Sequence, residues 1–272
     1  MKINLFDSHV HSDNSHDGKN PIMFITDKAM ENGIMGLSIT DHFECDDIEN
    51  LHKHRQAIKQ SVFETELANT TYYGKIRLTK GIELGQASFR PDIATKMLSD
   101  NNFDFVLGSI HKLRDTEDFA YVNFDDTDIV IRDIMDKYFE ECLELAKTAD
   151  FDSLAHLGYP IRYIWGKYRI PFNLNLCSDI IDEILKVLIT RGKALEINTS
   201  GMRTPLAKTN PDFDVLKRYR DFGGELVTIG SDAHMANDMC YAFDLVMDKM
   251  LEYGYKNFAF YRERKPVMLK II

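Results

Sequence analysis

Histidine and carboxylate side chains recur along this chain at spacings that suit metal binding. His9 and His11 stand two residues apart, just after a short apolar run at residues 3–6. On a β-strand the side chains at positions i and i+2 point to the same side, so both imidazoles can bind one metal ion. Six of the nine histidines and three carboxylates fall at predicted strand ends or in the first loop, and we predict these nine as metal ligands: His9, His11, Asp17, His42, Glu83, His111, His156, Asp232 and His234.

The chemistry of this set favours zinc or a transition metal. Imidazole and carboxylate ligands without a thiolate suit Zn, Mn or Fe better than Ca or Mg. Nine ligands are too many for one ion, but they suffice for three divalent ions if one carboxylate bridges two of them. Paired metal ions about 3.5–4 Å apart activate a water and stabilise both oxygens of a displacement at phosphorus. Because three such ions carry more charge than three carboxylates neutralise, we expect an anionic substrate, and phosphate esters fit best.

The predicted ligands follow a regular alternation of apolar runs and amphipathic segments. Strands alternating with helices at this spacing indicate parallel βα units. Seven units predict an α/β fold with a closed or nearly closed barrel, whose active site lies at the C-terminal ends of the strands. We predict strands at residues 3–6, 34–40, 76–82, 103–108, 151–155, 194–197, 226–229 and 258–261, and helices at 22–32, 47–69, 127–148, 178–191, 212–222 and 239–253.

The composition and charge of the chain argue against several classes of function. No apolar run approaches the roughly 20 residues that span a bilayer, and the N-terminal residues do not have the pattern of a secretory signal. The net charge of −10 argues against a broad nucleic-acid footprint, which needs clustered Lys and Arg. The four cysteines form no CxxC pair and are expected to be reduced thiols. We therefore expect a cytoplasmic protein with a small-molecule substrate, without nucleic-acid or membrane partners.

The order of the ligand motifs resembles that of the polymerase and histidinol phosphatase (PHP) family. The resemblance runs from the first to the seventh predicted strand. Residues 108–111 and 196–203 are most similar to the monofunctional histidinol-phosphate phosphatases of histidine biosynthesis. The resemblance implies a single metallophosphoesterase domain over residues 1–272, folded as a distorted, TIM-like (β/α)7 barrel with a trinuclear metal centre. The motifs that carry it are His9-Val10-His11, Asp41-His42, Glu83, His111, His156 and Ser231-Asp232-Ala233-His234.

The resemblance also implies how the ligands are shared. Glu83 would bridge the first two ions. In the first loop His16 is adjacent to Asp17, so we expect Asp17 as the ligand and His16 as a nearby substrate contact, with the reverse left open. The implied sets are His9, His11, Glu83 and Asp232 for the first ion, Glu83, His111 and His156 for the second, and Asp17, His42 and His234 for the third.

Other residues are candidates for handling a phosphate ester. Guanidinium matches phosphate bidentately, so Arg203 is the main candidate for a phosphate clamp, with Arg162 second and Lys112 as a further contact. A hydroxide bridging the first two ions would attack phosphorus. Asp232 or His234 can assist the departing alkoxide through a water, and the sequence does not separate these two. The leading hypothesis is hydrolysis of L-histidinol phosphate to L-histidinol and phosphate.

Several alternatives stay open at this point. A related phosphoesterase could act on phosphotyrosine protein or on nucleic-acid 5′ ends, although the acidic charge argues against nucleic acid. A non-catalytic metal-binding module is a third possibility, which the apparently complete ligand set disfavours. Asp7 and Asp41 either orient imidazoles or cap strand ends. His52 and His54, on the helix predicted at 47–69, are expected to be solvated.

Overall fold

The computed structural model describes residues 4–126 and 129–272. Its larger sheet contains β1 (Phe6–Val10), β2 (Gly36–Ile39), β3 (His42–Glu44), β4 (Arg77–Gly85), β5 (Phe105–Ser109), β6 (Ser153–Leu154), β7 (Ala194–Asn198) and β8 (Val227–Gly230). Seven of these strands follow one another in the order β1-β2-β4-β5-β6-β7-β8, and every pairing is parallel. The predicted TIM-like α/β barrel of seven units is confirmed.

The barrel is closed by contacts between its first and last strands. Val10 of β1 forms a parallel bridge with Ala233, which lies just after β8. The His11 amide donates to the Ala233 carbonyl at 2.9 Å. β3 resumes the course of β2 and pairs with the second half of β4, where His42 lies opposite Glu83. These pairings bring the C-terminal ends of distant strands to one rim.

Helices cover the outside of the barrel. Strands β1, β5 and β7 are buried along their whole length, as expected for parallel strands covered on both faces. The prediction for residues 178–191 agrees with the structure at both ends. The helices are α1 (Ile22–Glu31), α2 (Leu51–Thr71), α3 (Pro91–Asp100), α4 (Ile131–Thr148), α5 (Ile161–Ile164), α6 (Ser178–Arg191), α7 (Phe213–Asp221) and α8 (Phe243–Glu252).

The structure differs from the predictions at several places. The first strand begins at Phe6 and contains His9, because its polar residues are buried and continue the strand where the apolar pattern stops. Helix α3 was not predicted, since it is short and buries only Ile93, Ala94 and Met97. Strand β10 (Lys265–Lys270) was also missed, because its exposed side chains show no core alternation. Residue 3 of the first predicted strand and residues 127 and 128 of the fourth helix region lie outside the described residues.

The N-terminal end of the barrel is covered by a hairpin. It consists of β9 (Asn257–Arg262) and β10, which are antiparallel. The Phe260 ring stacks on the Phe6 ring with centroids 4.3 Å apart. This apolar contact leaves the opposite, C-terminal rim as the open end. No helix in the described part of the chain is long and apolar enough to cross a membrane.

Candidate metal centre

The predicted ligands meet at the C-terminal rim of the barrel because different parallel strands end there. The side chains of His9 and Glu83 are fully buried, whereas His42 and His234 are nearer the surface. β1 carries His9 and leads to His11, β3 begins at His42, β4 carries Glu83, and the segments after β5, β6 and β8 hold His111, His156, Asp232 and His234.

His9 and His11 face the same space, as their spacing predicts. Their Nε2 atoms lie 3.0 Å apart. Glu83 Oε2 lies 3.4 Å from His9 Nε2 and 3.5 Å from His11 Nε2. Asp232 Oδ1 lies 3.8 Å and 3.5 Å from the same two nitrogens. One ligand atom from each of these four side chains thus lies in the small space expected to hold the first ion.

Glu83 joins this group to a second one. Its other oxygen, Oε1, lies 2.9 Å from His111 Nε2 and 2.7 Å from His156 Nε2. A carboxylate with one oxygen in each group has the geometry of a bridging ligand. The Nδ1 atom of His42 also lies 2.9 Å from Glu83 Oε2.

The third group lies beside the first. The ring centroids of His42 and His234 each lie 4.2 Å from that of His11 and 5.7 Å from each other. Asp17 Oδ2 lies 2.9 Å from His234 Nε2, and Asp17 Oδ1 lies 3.7 Å from His42 Nε2. The His16 side chain is 57% exposed and its ring centroid lies 5.5 Å from that of His42. This geometry favours Asp17 as the ligand, and the sharing of ligands among ions stays a prediction.

The charges of the site suit metal binding. Burial raises the pKa of Glu83, but the charges of His111, His42 and His9 together outweigh it and hold that pKa well below its usual range. Burial also raises the pKa of Asp232, but the charges of Arg162 and of nearby imidazoles together hold it well below its usual range. Ionised carboxylates are the forms that bind metal.

Burial lowers the pKa of His11 well below its usual value. Burial lowers the pKa of His9, His42 and His111 as well, but the neighbouring carboxylates outweigh it and raise all three pKa values. Because neutral imidazoles bind metal, these three rings would release a proton when an ion binds.

Several polar atoms of the cluster are buried without a hydrogen bond. Among the described residues this holds for Glu83 Oε2, His156 Nδ1 and His234 Nε2. Buried polar atoms are otherwise almost always paired. Four overlapping groups of three side chains have ligand atoms within 4.8 Å of one another. Because these groups contain nitrogen and carboxylate ligands only, they fit divalent zinc, manganese or iron.

Two of the predicted ligands have a strained backbone. His156 has φ 26° and Asp232 has φ 54°, in the left-handed region that favours glycine. Such residues cost about 1–3 kcal/mol each and persist where their surroundings hold them. The His156 amide donates to Glu196 Oε2, and the Asp232 amide donates to the His9 carbonyl, both at 2.8 Å. The fold therefore holds both side chains at the rim against a local backbone preference.

Two carboxylates next to the cluster fix two of the imidazole rings. His9 Nδ1 lies 2.7 Å from Glu196 Oε1, and His111 Nδ1 lies 2.9 Å from Glu44 Oε1. A partner on the second ring nitrogen sets the orientation and tautomer of a metal-binding histidine. Sequence reasoning did not assign these roles to Glu196 or Glu44. The usable signal was the position of Glu196 inside a predicted strand at 194–197, where an acidic residue must be paired.

The two aspartates left open by the sequence have different roles. Asp7 accepts hydrogen bonds from the Ser231 amide at 2.9 Å and the Cys240 amide at 2.8 Å, so it caps backbone. Asp41 Oδ1 accepts a hydrogen bond from the Ser15 hydroxyl at 2.7 Å. That hydroxyl lies 3.2 Å from His11 Nδ1. Asp41 therefore supports an imidazole indirectly, through a serine.

The predicted phosphate-binding residues lie at the same rim. They differ in how many of their hydrogen-bond donors already have a partner. Arg162 Nη2 donates to Asp232 Oδ2 at 2.8 Å, while its Nε is buried without a hydrogen bond. Arg203 donates to the carbonyls of Ser231 and Asp232 at 2.8 Å and 3.0 Å. Two of its N–H donors are therefore occupied by backbone oxygens. Lys112 Nζ pairs with a carboxylate oxygen of Asp46 at 2.9 Å.

A cavity of about 400 Å³ opens in front of the cluster. His54 lines it, pairs with Asp47 at 2.8 Å, and is only 19% exposed. The His54 side chain is therefore less exposed than expected, because the first turn of α2 faces the cavity, whereas His52 is exposed as expected. The wall includes His16, Asp17, His42, Glu44, His111, Lys112, Asp118, Tyr121, Tyr159 and Tyr163.

A family model described as the PHP domain matches residues 7–200. The chain belongs to the PHP family. The match starts at β1 and ends just after β7, so it contains seven of the nine predicted ligands of this PHP protein; Asp232 and His234 lie beyond it.

Relatives of this PHP protein are named for one activity. A probable histidinol-phosphatase from Thermotoga maritima is 32% identical over 94% of this chain and 95% of its own. A histidinol-phosphatase from Lactococcus lactis is 30% identical over 85% of this chain and 84% of its own. A crystal structure of histidinol phosphate phosphatase from Lactococcus lactis, complexed with zinc, L-histidinol and phosphate, is similar with a TM-score of 0.80. That structure is 25% identical and the match covers 97% of this chain and 99% of the other.

Proposed function

We propose that this protein is a metal-dependent phosphomonoesterase that hydrolyses L-histidinol phosphate to L-histidinol and phosphate. The observation that carries the proposal is the Glu83 carboxylate, with one oxygen among His9 and His11 and the other between His111 and His156. Similarity over nearly the whole chain to a phosphatase crystallised with zinc, L-histidinol and phosphate supports this substrate.

The proposed cofactor is a set of three divalent ions, with zinc favoured and manganese or iron as alternatives. When bound, such ions activate a water molecule and neutralise charge on the phosphate. The ligand sets would be His9, His11, Glu83 and Asp232 for the first ion, Glu83, His111 and His156 for the second, and Asp17, His42 and His234 for the third.

The remaining residues of the rim would bind the phosphate and move a proton. Arg162 is well placed because its buried Nε has no partner while Nη2 orients the guanidinium against Asp232. Arg203 would contribute only its remaining N–H groups, since two are occupied. The leaving alkoxide needs a proton, and His234 or Asp232 would take up the proton that the attacking water releases and pass it on through a water.

The cavity in front of the cluster would hold the organic part of the substrate. Its volume of about 400 Å³ suits a small molecule. Lys112 and His16 line it and are proposed to contact the substrate at its phosphate end. We further propose that residues 1–272 act as one domain, in the cytoplasm, on a small-molecule ester without nucleic-acid or membrane partners.

A substrate panel tests this proposal. Phosphate release would be measured from L-histidinol phosphate, a phosphotyrosine peptide and a 5′-phosphorylated oligonucleotide, using protein of determined metal content. We expect kcat/KM for L-histidinol phosphate to exceed the other two by about 1000-fold or more, since a site built for polar groups rejects substrates that lack them. Comparable low rates on all three would leave a metallophosphoesterase and overturn the named substrate. A preference for the peptide or the oligonucleotide would replace it.

A further inference from the structure

Four carboxylates line the cavity, and they differ in how their charge is compensated. Asp17 lies 2.9 Å from His234, and Glu44 lies 2.9 Å from His111. Asp47 lies 2.8 Å from His54. Each of these three therefore has an imidazole partner. The fourth, Asp118, has none among the ion pairs of residues 4–126 and 129–272, so its charge is available to a ligand.

The Asp118 side chain is held by neutral donors through one oxygen. Its Oδ1 accepts a hydrogen bond from the Ala120 amide at 2.7 Å and from the Tyr159 hydroxyl at 3.4 Å. That hydroxyl also lies 2.8 Å from the Tyr163 hydroxyl. The side chain is thus positioned by Oδ1, while Oδ2 makes no hydrogen bond within the described residues.

Asp118 lies one tyrosine ring away from the metal cluster. The Tyr159 ring centroid is 5.1 Å from that of His111 and 4.9 Å from that of His156. Its hydroxyl contacts Asp118. A small ester with its phosphate at His111 and His156 would therefore extend its organic part toward this carboxylate.

We propose that Asp118 binds the ammonium group of the substrate and so selects phosphate esters whose alcohol part carries a primary amine. This inference rests on the proposed function and deepens it. A carboxylate without a cationic partner in a small-molecule cavity favours a full positive charge. The amine of an amino alcohol is protonated at neutral pH, whereas imidazole is mostly neutral there. The ammonium is therefore the group matched to Asp118.

The test is a cycle of two proteins and two substrates. The wild type and Asp118→Asn would be assayed with L-histidinol phosphate and with 3-(imidazol-4-yl)propyl phosphate, which lacks only the amine. Asparagine keeps an oxygen that can accept from Ala120 and Tyr159, so the fold and metal content should be preserved. We expect kcat/KM for L-histidinol phosphate to fall about 10- to 100-fold, the range for a hydrogen bond to a charged group. The rate on the deamino ester should stay unchanged.

Two controls keep the outcomes distinct. Glu117→Gln removes a charge from the neighbouring exposed residue and should leave both rates unchanged. Equal losses of Asp118→Asn on both esters, or no loss on either, would overturn the assignment of Asp118. Failure of the proposed function would be seen separately, as a wild type that prefers p-nitrophenyl phosphate to L-histidinol phosphate. The ratio of the two imidazole esters would still report on Asp118 in that case.

Discussion

The two ends of the barrel differ in how their polar groups are satisfied. At the N-terminal end the hairpin covers the strands with apolar rings, and the centroids of Phe105 and Tyr261 lie 5.2 Å apart. The buried Asp152 there accepts from Arg264 Nε at 2.6 Å and from the Val106 amide at 2.8 Å. The buried charge of Asp152 therefore has partners within the chain.

At the C-terminal end a buried carboxylate is only half satisfied, because Glu83 Oε1 lies at hydrogen-bond distance from His111 and His156 while Oε2 has no such bond. Glu83 Oε2 is buried and accepts no hydrogen bond, although three imidazole nitrogens lie within 3.5 Å of it. His156 and Asp232 have left-handed backbone as well. The difference indicates that one end is arranged for stability and the other for binding ions and substrate, as in TIM barrels generally. Substitutions at the two ends should therefore affect different quantities.

The largest effect is expected at Glu83. Glu83→Gln keeps the shape of the side chain but removes the charge that would bridge two ions. Metal-ion stabilisation contributes several kcal/mol, so kcat/KM should fall about 1000-fold or more, with loss of bound metal. Phosphate release and elemental analysis would measure this. Glu66→Gln, on the exposed face of α2, is the matched control. Near-normal turnover of Glu83→Gln would contradict the prediction that this carboxylate bridges two ions.

The next effect tests the opposite end. Phe260→Ala removes a ring that stacks on Phe6 and should lower the free energy of unfolding by about 3–5 kcal/mol. The kcat/KM of the folded protein should stay unchanged, because the ring lies at the end of the barrel away from the cluster. Urea unfolding and activity would be followed together, with Val267→Ala on the exposed strand β10 as control. A loss of activity without a loss of stability would contradict the separation of the two ends.

A smaller effect is expected at Arg162. Arg162→Lys keeps a positive charge near Asp232 but loses the planar fork that matches phosphate. We expect kcat/KM to fall about 10- to 100-fold while metal content stays constant. Arg169→Lys, on the exposed part of the same segment, should have no effect. If metal is lost together with activity, Arg162 supports Asp232 rather than the phosphate.

The smallest effect concerns a residue that touches no expected ion. Glu196→Gln weakens the hold on the His9 ring and on the His156 amide. Partners of metal-binding histidines typically contribute 10- to 100-fold in affinity, and we expect about tenfold here. Chelator competition would measure metal affinity, with the exposed Glu225→Gln as control. An unchanged metal affinity would mean that Glu196 only binds the His156 backbone amide and does not position the His9 ring for metal binding.

The alternation of strands and helices was predictable because it depends on local patterns. The helix at 178–191 has a clear apolar period and is followed by Gly192, whose φ of 63° suits a helix C-terminus. The rim residues were predictable because the C-terminal ends of parallel strands meet. Thus side chains as distant in sequence as His9 and Asp232 could be expected to lie together.

Other features depend on contacts that no local pattern encodes. The partners of His9 and His111, which are Glu196 and Glu44, come from strands far away in the chain. Two donors of Arg203 hold backbone carbonyls, which its position after a strand does not indicate. The cavity position of Asp118 follows from its contact with Tyr159, 41 residues later. Such roles need the packed structure.

The most direct test of the account is metal removal. The protein would be stripped with a chelator, its metal content determined, and phosphate release from L-histidinol phosphate measured before and after adding back zinc, manganese or iron. The account predicts that activity disappears with the metal and returns on its addition, while the fold, followed by circular dichroism, changes little. Full activity in protein that holds far less than one ion per chain would contradict the central claim.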